Sequence, residues 1–196
     1  MTSFGYNTLG FGSFPNRASG HIIEGSAVTA LGDLIRTPDA DGNLRTNVIE
    51  IIFKGSTLIT GSEIVLFQAY NGSSGTSTTI QSNTSNQIRC DFGTGGSIVS
   101  EPVLRDPAAW YHLIFAIDTT QATNTNRGRI FINGTQSGSA GTINNFTDSS
   151  TVLAIGALDT STGWNSNFGF NGYISNLRVV KGTVVYTTNF QPSTIP

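Results

Sequence analysis

The residue types in this chain that could do chemistry gather in few places. Trp164 stands in ALDTSTGWNSN (157–167) with Asp159, Asn165 and Asn167. An indole that can stack on the C–H face of a sugar ring, beside a carboxylate and two amides that can bind hydroxyls, has the composition of a carbohydrate contact. Tyr70 with Asn71, in AYNGSSG, is a second set of this kind. Asp159, Asn165 and Asn167 are also oxygen donors of the type calcium uses. Solvated loop polarity explains them as well, so no cofactor is expected. Asp39 and Asp41 have alternate spacing but fall in PDADGN, a turn signal whose glycine comes too early for a helix–loop–helix calcium site. Nothing has the spacing of the paired carboxylates that glycoside hydrolysis requires. His21 and His112 have no Ser or Cys partner by motif, and His112 shares a strand face with Trp110 and reads as a packed residue. Cys90 alternates with Ile88 and Phe92 and reads as a small buried hydrophobe. Arg178 and Lys181, in LRVVKG, read as stems laid over a sheet face with local pairing. The expectation is a protein that is not an enzyme.

The elements that would carry these residues have the period of strands. NVIEIIFKG (47–55), SEIVLFQAY (62–70), NQIRCDFG (86–93), WYHLIFAID (110–118), RGRIFING (127–134), STVLAIGAL (150–158) and FGFNGYISNLRVVKGTVVY (168–186) are rich in β-branched and aromatic residues and bounded by turn residues. WYHLIFAID is apolar on both faces, which places it near the middle of a sheet. The strand that follows ends in Asn133-Gly134, a dipeptide that accepts positive φ. The polar stretch between those two strands is a loop without catalytic equipment. Only AVTALGDLIRT (27–37) has a helical face, and Gly32 weakens it. Many short strands separated by turns predict an all-β, two-sheet antiparallel sandwich.

Composition narrows the possibilities. The 196 residues suffice for one domain with a sizeable core. Charged residues are 11% of the chain, against about 25% in ordinary soluble domains, a surface suited to assembly. The net charge is −2 and no Lys/Arg cluster is present, which argues against a nucleic-acid partner. With one cysteine there is no intrachain disulfide. No apolar run reaches the ~18 residues of a membrane span. Residues 1–16 differ from the rest, setting Phe4, Tyr6, Leu9, Phe11 and Phe14 among Gly, Asn and Pro. Aromatic rings at that density are costly in water, so the segment is expected to be an arm that docks on a partner. The expected division is an arm over 1–16 and a sandwich over 17–196.

The second half also resembles a known family. WYHL, then IFING, then LAIGA, then FNGYISNLRVVKGTVVYTTNFQP is similar to laminin-G/pentraxin domains of the concanavalin A-like type. The closing stretch resembles forms found in structural proteins of tailed bacteriophages. The resemblance implies a concanavalin A-like jelly roll, a fold with many functions. It further implies a virion protein, made in the host cytoplasm without a signal peptide. On this reading the protein is a capsid decoration or cement subunit whose arm and loop edges bind the major capsid protein, with a homo-oligomer as a further expectation. The alternative is a lectin-like adhesin of a tail or fibre that binds glycan through Trp164 and its neighbours.

Overall fold

Isoleucine, valine and phenylalanine at alternate positions give each strand an apolar face that must be covered. In the computed structural model two sheets cover one another. The structure describes residues 21–23, 35–36, 43, 45–55, 63–70, 77–92, 96–139, 143, 152–156, 158–160, 163–165 and 168–192. Within them the strands are β1 (His21–Ile23), β2 (Ile35–Arg36), β3 (Thr46–Gly55), β4 (Ile64–Tyr70), β5 (Thr78–Ser82), β6 (Ile88–Phe92), β7 (Ser97–Val99), β8 (Tyr111–Asp118), β9 (Gly128–Ile132), β10 (Thr135–Ser139), β11 (Val152–Ile155), β12 (Leu158–Thr160), β13 (Gly163–Asn165) and β14 (Gly172–Lys181). Sheet I has the order β1-β14-β3-β8-β9-β10, and sheet II the order β2-β11-β4-β5-β6-β7. β12 and β13 form a separate hairpin. Every pairing is antiparallel. This is the all-β sandwich that the alternation predicts.

The core lies between the sheets. Ile49, Ile51 and Phe53 of β3 and Leu113, Phe115 and Ile117 of β8 face Phe67, Ile80, Ile88, Cys90 and Ile98 of sheet II. Phe92 and Phe115 touch across the layers, with ring centroids 5.2 Å apart. Each such fully buried side chain contributes roughly 1.5–3 kcal/mol. β8 is the fourth strand of six, in keeping with its two apolar faces. The second of those faces is covered from outside. Beyond β14 the chain turns at Gly182 (φ 85°) and residues 183–192 run back across sheet I as a strap. Val184, Tyr186 and Phe190 of the strap pack on Val48, Ile114, Ala116 and Phe131. The Phe190 N–H donates to the Gly134 carbonyl at 2.9 Å, and Asn189 Oδ1 accepts from the Gln136 N–H at 2.8 Å. Asn133 (φ 51°) and Gly134 (φ 82°) make the tight turn joining β9 to β10.

The loop between β8 and β9 is more organised than its composition suggests. Asp118 Oδ1 accepts from the Thr120 N–H at 3.1 Å and Oδ2 from the Gln121 side chain at 2.6 Å. Arg127 returns from the far end to donate to the Gln121 carbonyl at 2.7 Å. A single 3-10 turn, Asn124–Asn126, fills the interval.

Two local expectations need correction. Ile35–Arg36, at the end of the stretch with the helical face, is strand β2, paired with Leu153 and Ala154 of β11. The sheet edge overrides a weak local pattern there; the rest of 27–34 lies outside the described residues. The segment around Trp164 is a hairpin rather than an open loop. The arm residues Phe4, Tyr6, Leu9, Phe11 and Phe14 lie outside the described residues.

Candidate functional site: a groove on the outer face of sheet I

Glu50 is the one charged residue in an otherwise apolar stretch of β3, and a half-buried carboxylate needs partners. It has three. Its Oε1 is 2.8 Å from His112 Nε2 on β8. Its Oε2 accepts from Arg178 Nε at 2.8 Å and from one terminal nitrogen of the same guanidinium. The Tyr186 hydroxyl, on the strap, accepts from that guanidinium nitrogen at 3.0 Å and stands 3.4 Å from Oε2. Half-buried Glu50 (14% of its side chain exposed) and buried His112 (8%) anchor an Arg178 that is 51% exposed. Burial alone would raise the Glu50 pKa; the hydrogen bonds from His112 and Arg178 and the Arg178 charge outweigh it and hold the carboxyl below its ordinary value. The Tyr186 phenol is pushed up, first by its burial and then by the Glu50 charge.

A β-bulge shapes the surface beside this network. β14 pairs Ser175 with Ile52 and Arg178 with Glu50, so Asn176 and Leu177 together oppose Ile51. Asn176 takes φ 50°, a conformation Asn tolerates better than most residues. The extra residue leaves Leu177 against the core and sets Asn176 out in solvent. The result is a groove of about 440 Å3 lined by Glu50, Ile52, Asn176, Leu177 and Arg178. Two residues along β3 from Ile52, about 7 Å away, comes Lys54, opposite Tyr173. Trp110, next in register on the β8 side, has its ring centroid 6.3 Å from that of Tyr173. An aromatic pair therefore stands at one end of the groove and the Arg178–Tyr186 contact at the other.

The network is not a hydrolytic triad. Ser175 and His112 flank Ile52 from opposite sides, two strand spacings or roughly 9–10 Å apart. Ser175 Oγ and His112 Nδ1 are both buried without a hydrogen-bond partner among the described residues. Nor do three His, Cys, Asp or Glu side chains converge as metal ligands among those residues.

The sequence-derived candidates fall elsewhere. Asp159 and Trp164 are direct cross-strand partners in the β12–β13 hairpin, and Asn165 pairs with Leu158. The β12 backbone lies against β4 and β11 of sheet II. Asn167, Asn71, Asp39 and Asp41 lie outside the described residues. Tyr70 is buried at the end of β4, paired with Val152, so its ring is not offered to a ligand. His112 is packed as expected, with Phe190 edge-on at 5.8 Å, but it also binds Glu50. Arg178 pairs with a carboxylate 128 positions away rather than locally. Cys90 is fully buried, its thiol pushed well up by burial and then by Asp91. Sequence reasoning missed Glu50, Asn176 and the Trp110–Tyr173 pair. One signal was available: continuing the alternation from Ile174 would aim Asn176 and Arg178 into the core and Leu177 outward, which only a bulge repairs.

Two antiparallel sheets packed face to face define a jelly-roll sandwich. The laminin G-type profile of the concanavalin A-like lectin/glucanases superfamily matches residues 54–185, and the chain belongs to that superfamily. No curated protein sequence matches the chain. Among solved structures it is similar to a carbohydrate-binding module of a Ruminococcus gnavus trans-sialidase bound to α2,6-sialyllactose (TM-score 0.57, 12% identity, 86% of this chain and 93% of that one). It is also similar to the mouse laminin α1 LG4-5 domains (TM-score 0.58, 13% identity, 90% of this chain and 44% of that one). A third is a heptameric SAP-like pentraxin from Limulus polyphemus (TM-score 0.50, 16% identity, 74% and 68%). At these identities the likeness concerns the fold. The pentraxin and laminin parts of the expected resemblance are met; the comparisons carry nothing on a virion.

Proposed function

We propose that this chain is a non-catalytic, lectin-like module that binds a glycan in the groove beside β14. One observation carries the reading: a guanidinium fixed by a half-buried carboxylate, an amide set out on a bulge and an aromatic pair share one outer face of the sheet. Sugar sites combine a stacking surface with a few fixed polar groups in this way. A solved carbohydrate-binding module with the same fold supports the choice of ligand. The test is a glycan array followed by calorimetry with the wild type and with Asn176→Gly, Tyr173→Ala and Trp164→Ala. Loss of binding in the first two, with Trp164→Ala unaffected, places the ligand in the groove. Loss in Trp164→Ala alone moves it to the β12–β13 hairpin with Asp159 and Asn165. The absence of any glycan signal defeats the proposal.

A second reading is a bacteriophage decoration subunit bound to the major capsid protein through residues 1–16. It is favoured by the resemblance of the closing stretch, Gly172 to Pro192, and by the low charge of the chain. Deleting residues 1–16 should then abolish attachment to purified shells while the sandwich stays folded. Unchanged attachment rejects the arm.

A further inference from the structure

Resting on the glycan reading, we propose that the groove beside β14 selects acidic sugars, binding a carboxylate or sulfate ester at Arg178 and Asn176. Neutral sugar hydroxyls are both donors and acceptors, so a site for them gains from a free carboxylate as well as from donors. Here the single carboxylate lining the groove among the described residues is already used. Glu50 Oε1 is taken by His112, and Oε2 by Arg178 with Tyr186 close beside it. What remains is the outward part of the Arg178 guanidinium, which only donates, and the Asn176 amide, whose NH2 donates and whose Oδ1 accepts. Among the described residues the Arg178 contacts use Nε and one terminal nitrogen, which leaves the other terminal N–H pair for a ligand. Asn176 presents its amide from the bulge, and Lys54 lies about 7 Å along β3 from the groove floor. Among the described residues two cations, Arg178 and Lys54, against one carboxylate give this patch a positive balance, on a chain whose net charge is −2. A cationic groove with a fixed guanidinium fork and an amide N–H beside it is complementary to a group that only accepts and carries negative charge. The Glu50 and Tyr186 contacts hold the guanidinium in place before the ligand arrives, which lowers the ordering cost of binding.

The experiment compares trigalacturonate with its methyl ester, a sulfated carrageenan oligosaccharide with its desulfated form, and cellotriose as a neutral sugar. Binding is read by calorimetry and by backbone amide shifts. The acid of at least one pair should bind roughly tenfold or more tightly than its neutral form. The shifts should centre on Asn176 and Arg178. Asn176→Gly keeps the backbone conformation and drops the amide; Arg178→Lys keeps the charge and loses the fork. Each should cut the preference severalfold, and the pair that shows it identifies carboxylate or sulfate as the acid. Neutral forms binding as well as acids, or a preference untouched by both variants, would overturn the inference and leave glycan binding standing. If cellotriose, the esters and the acids all fail to bind, and a broad array is silent too, the functional reading falls with it.

Discussion

Glu50 and Arg178 meet across the β3–β14 ladder although 128 positions separate them in the chain. The carboxylate is nearly buried and the guanidinium half exposed, so the buried partner depends on the exposed one. Removing Arg178 leaves Glu50 with His112 as its remaining strong partner. Arg178→Ala should destabilise the fold by about 1–3 kcal/mol, measured by urea unfolding. Glu50→Gln, which keeps the shape and removes the charge, should cost less.

The same carboxylate sets a pH dependence. Its folded-state pKa lies below the ordinary 4.5, so its contribution is complete above that value and is lost as pH falls through the folded pKa. The stability gap between the wild type and Glu50→Gln should therefore be widest near neutrality and close in acid below about pH 4.5. Unfolding curves of both proteins over this range check it, and a gap that widens in acid contradicts the assignment.

The strap is held by shape at one glycine. A Cβ on Gly134 would stand 2.1 Å from the Phe190 carbonyl oxygen, and φ there is +82°. Gly134→Ala should cost at least about 1–2 kcal/mol and lift the strap. Limited proteolysis should then cut within residues 183–192, which the wild type protects.

The outer apolar layer should behave as a true core. Phe131→Ala removes a fully buried ring beneath Phe190 and should cost about 3–5 kcal/mol. Phe190→Ala, at a half-buried position, should cost less and increase dye binding to the uncovered face of sheet I. Thermal melts and fluorescence distinguish the two.

Cys90 supplies a probe of global opening. It has no exposed surface, and burial keeps its thiol protonated. A disulfide reagent should label it only at the rate of unfolding. Rapid labelling of the native protein would show that sheet II opens locally.

Much of this fold is legible in the chain because strand alternation is local. Ile88, Cys90 and Phe92 announce one buried face, WYHLIFAID announces a central strand, and Asn133-Gly134 announces its turn. The groove is less legible because its parts are brought together by pairing over long separations. Glu50 reads as an oddity in β3 until Arg178 and His112 arrive from β14 and β8. The strap reads as a continuation of the last strand, since Val184 and Val185 have strand propensity, yet Gly182 ends the ladder and sends them over the sheet. β2 was hidden for the opposite reason: two residues are too few to show any period, and only the neighbouring β11 makes them a strand.

The bulge at Asn176 has an evolutionary consequence. The residue belongs to no ladder rung and points away from the interior, so exchanges at that one position leave the surrounding lattice of backbone contacts in register. Relatives could diversify what they recognise by drift at a single codon, provided the newcomer accepts left-handed geometry. The small set of residues that do so, glycine, aspartate and histidine foremost, would set the alphabet in which such preferences are written.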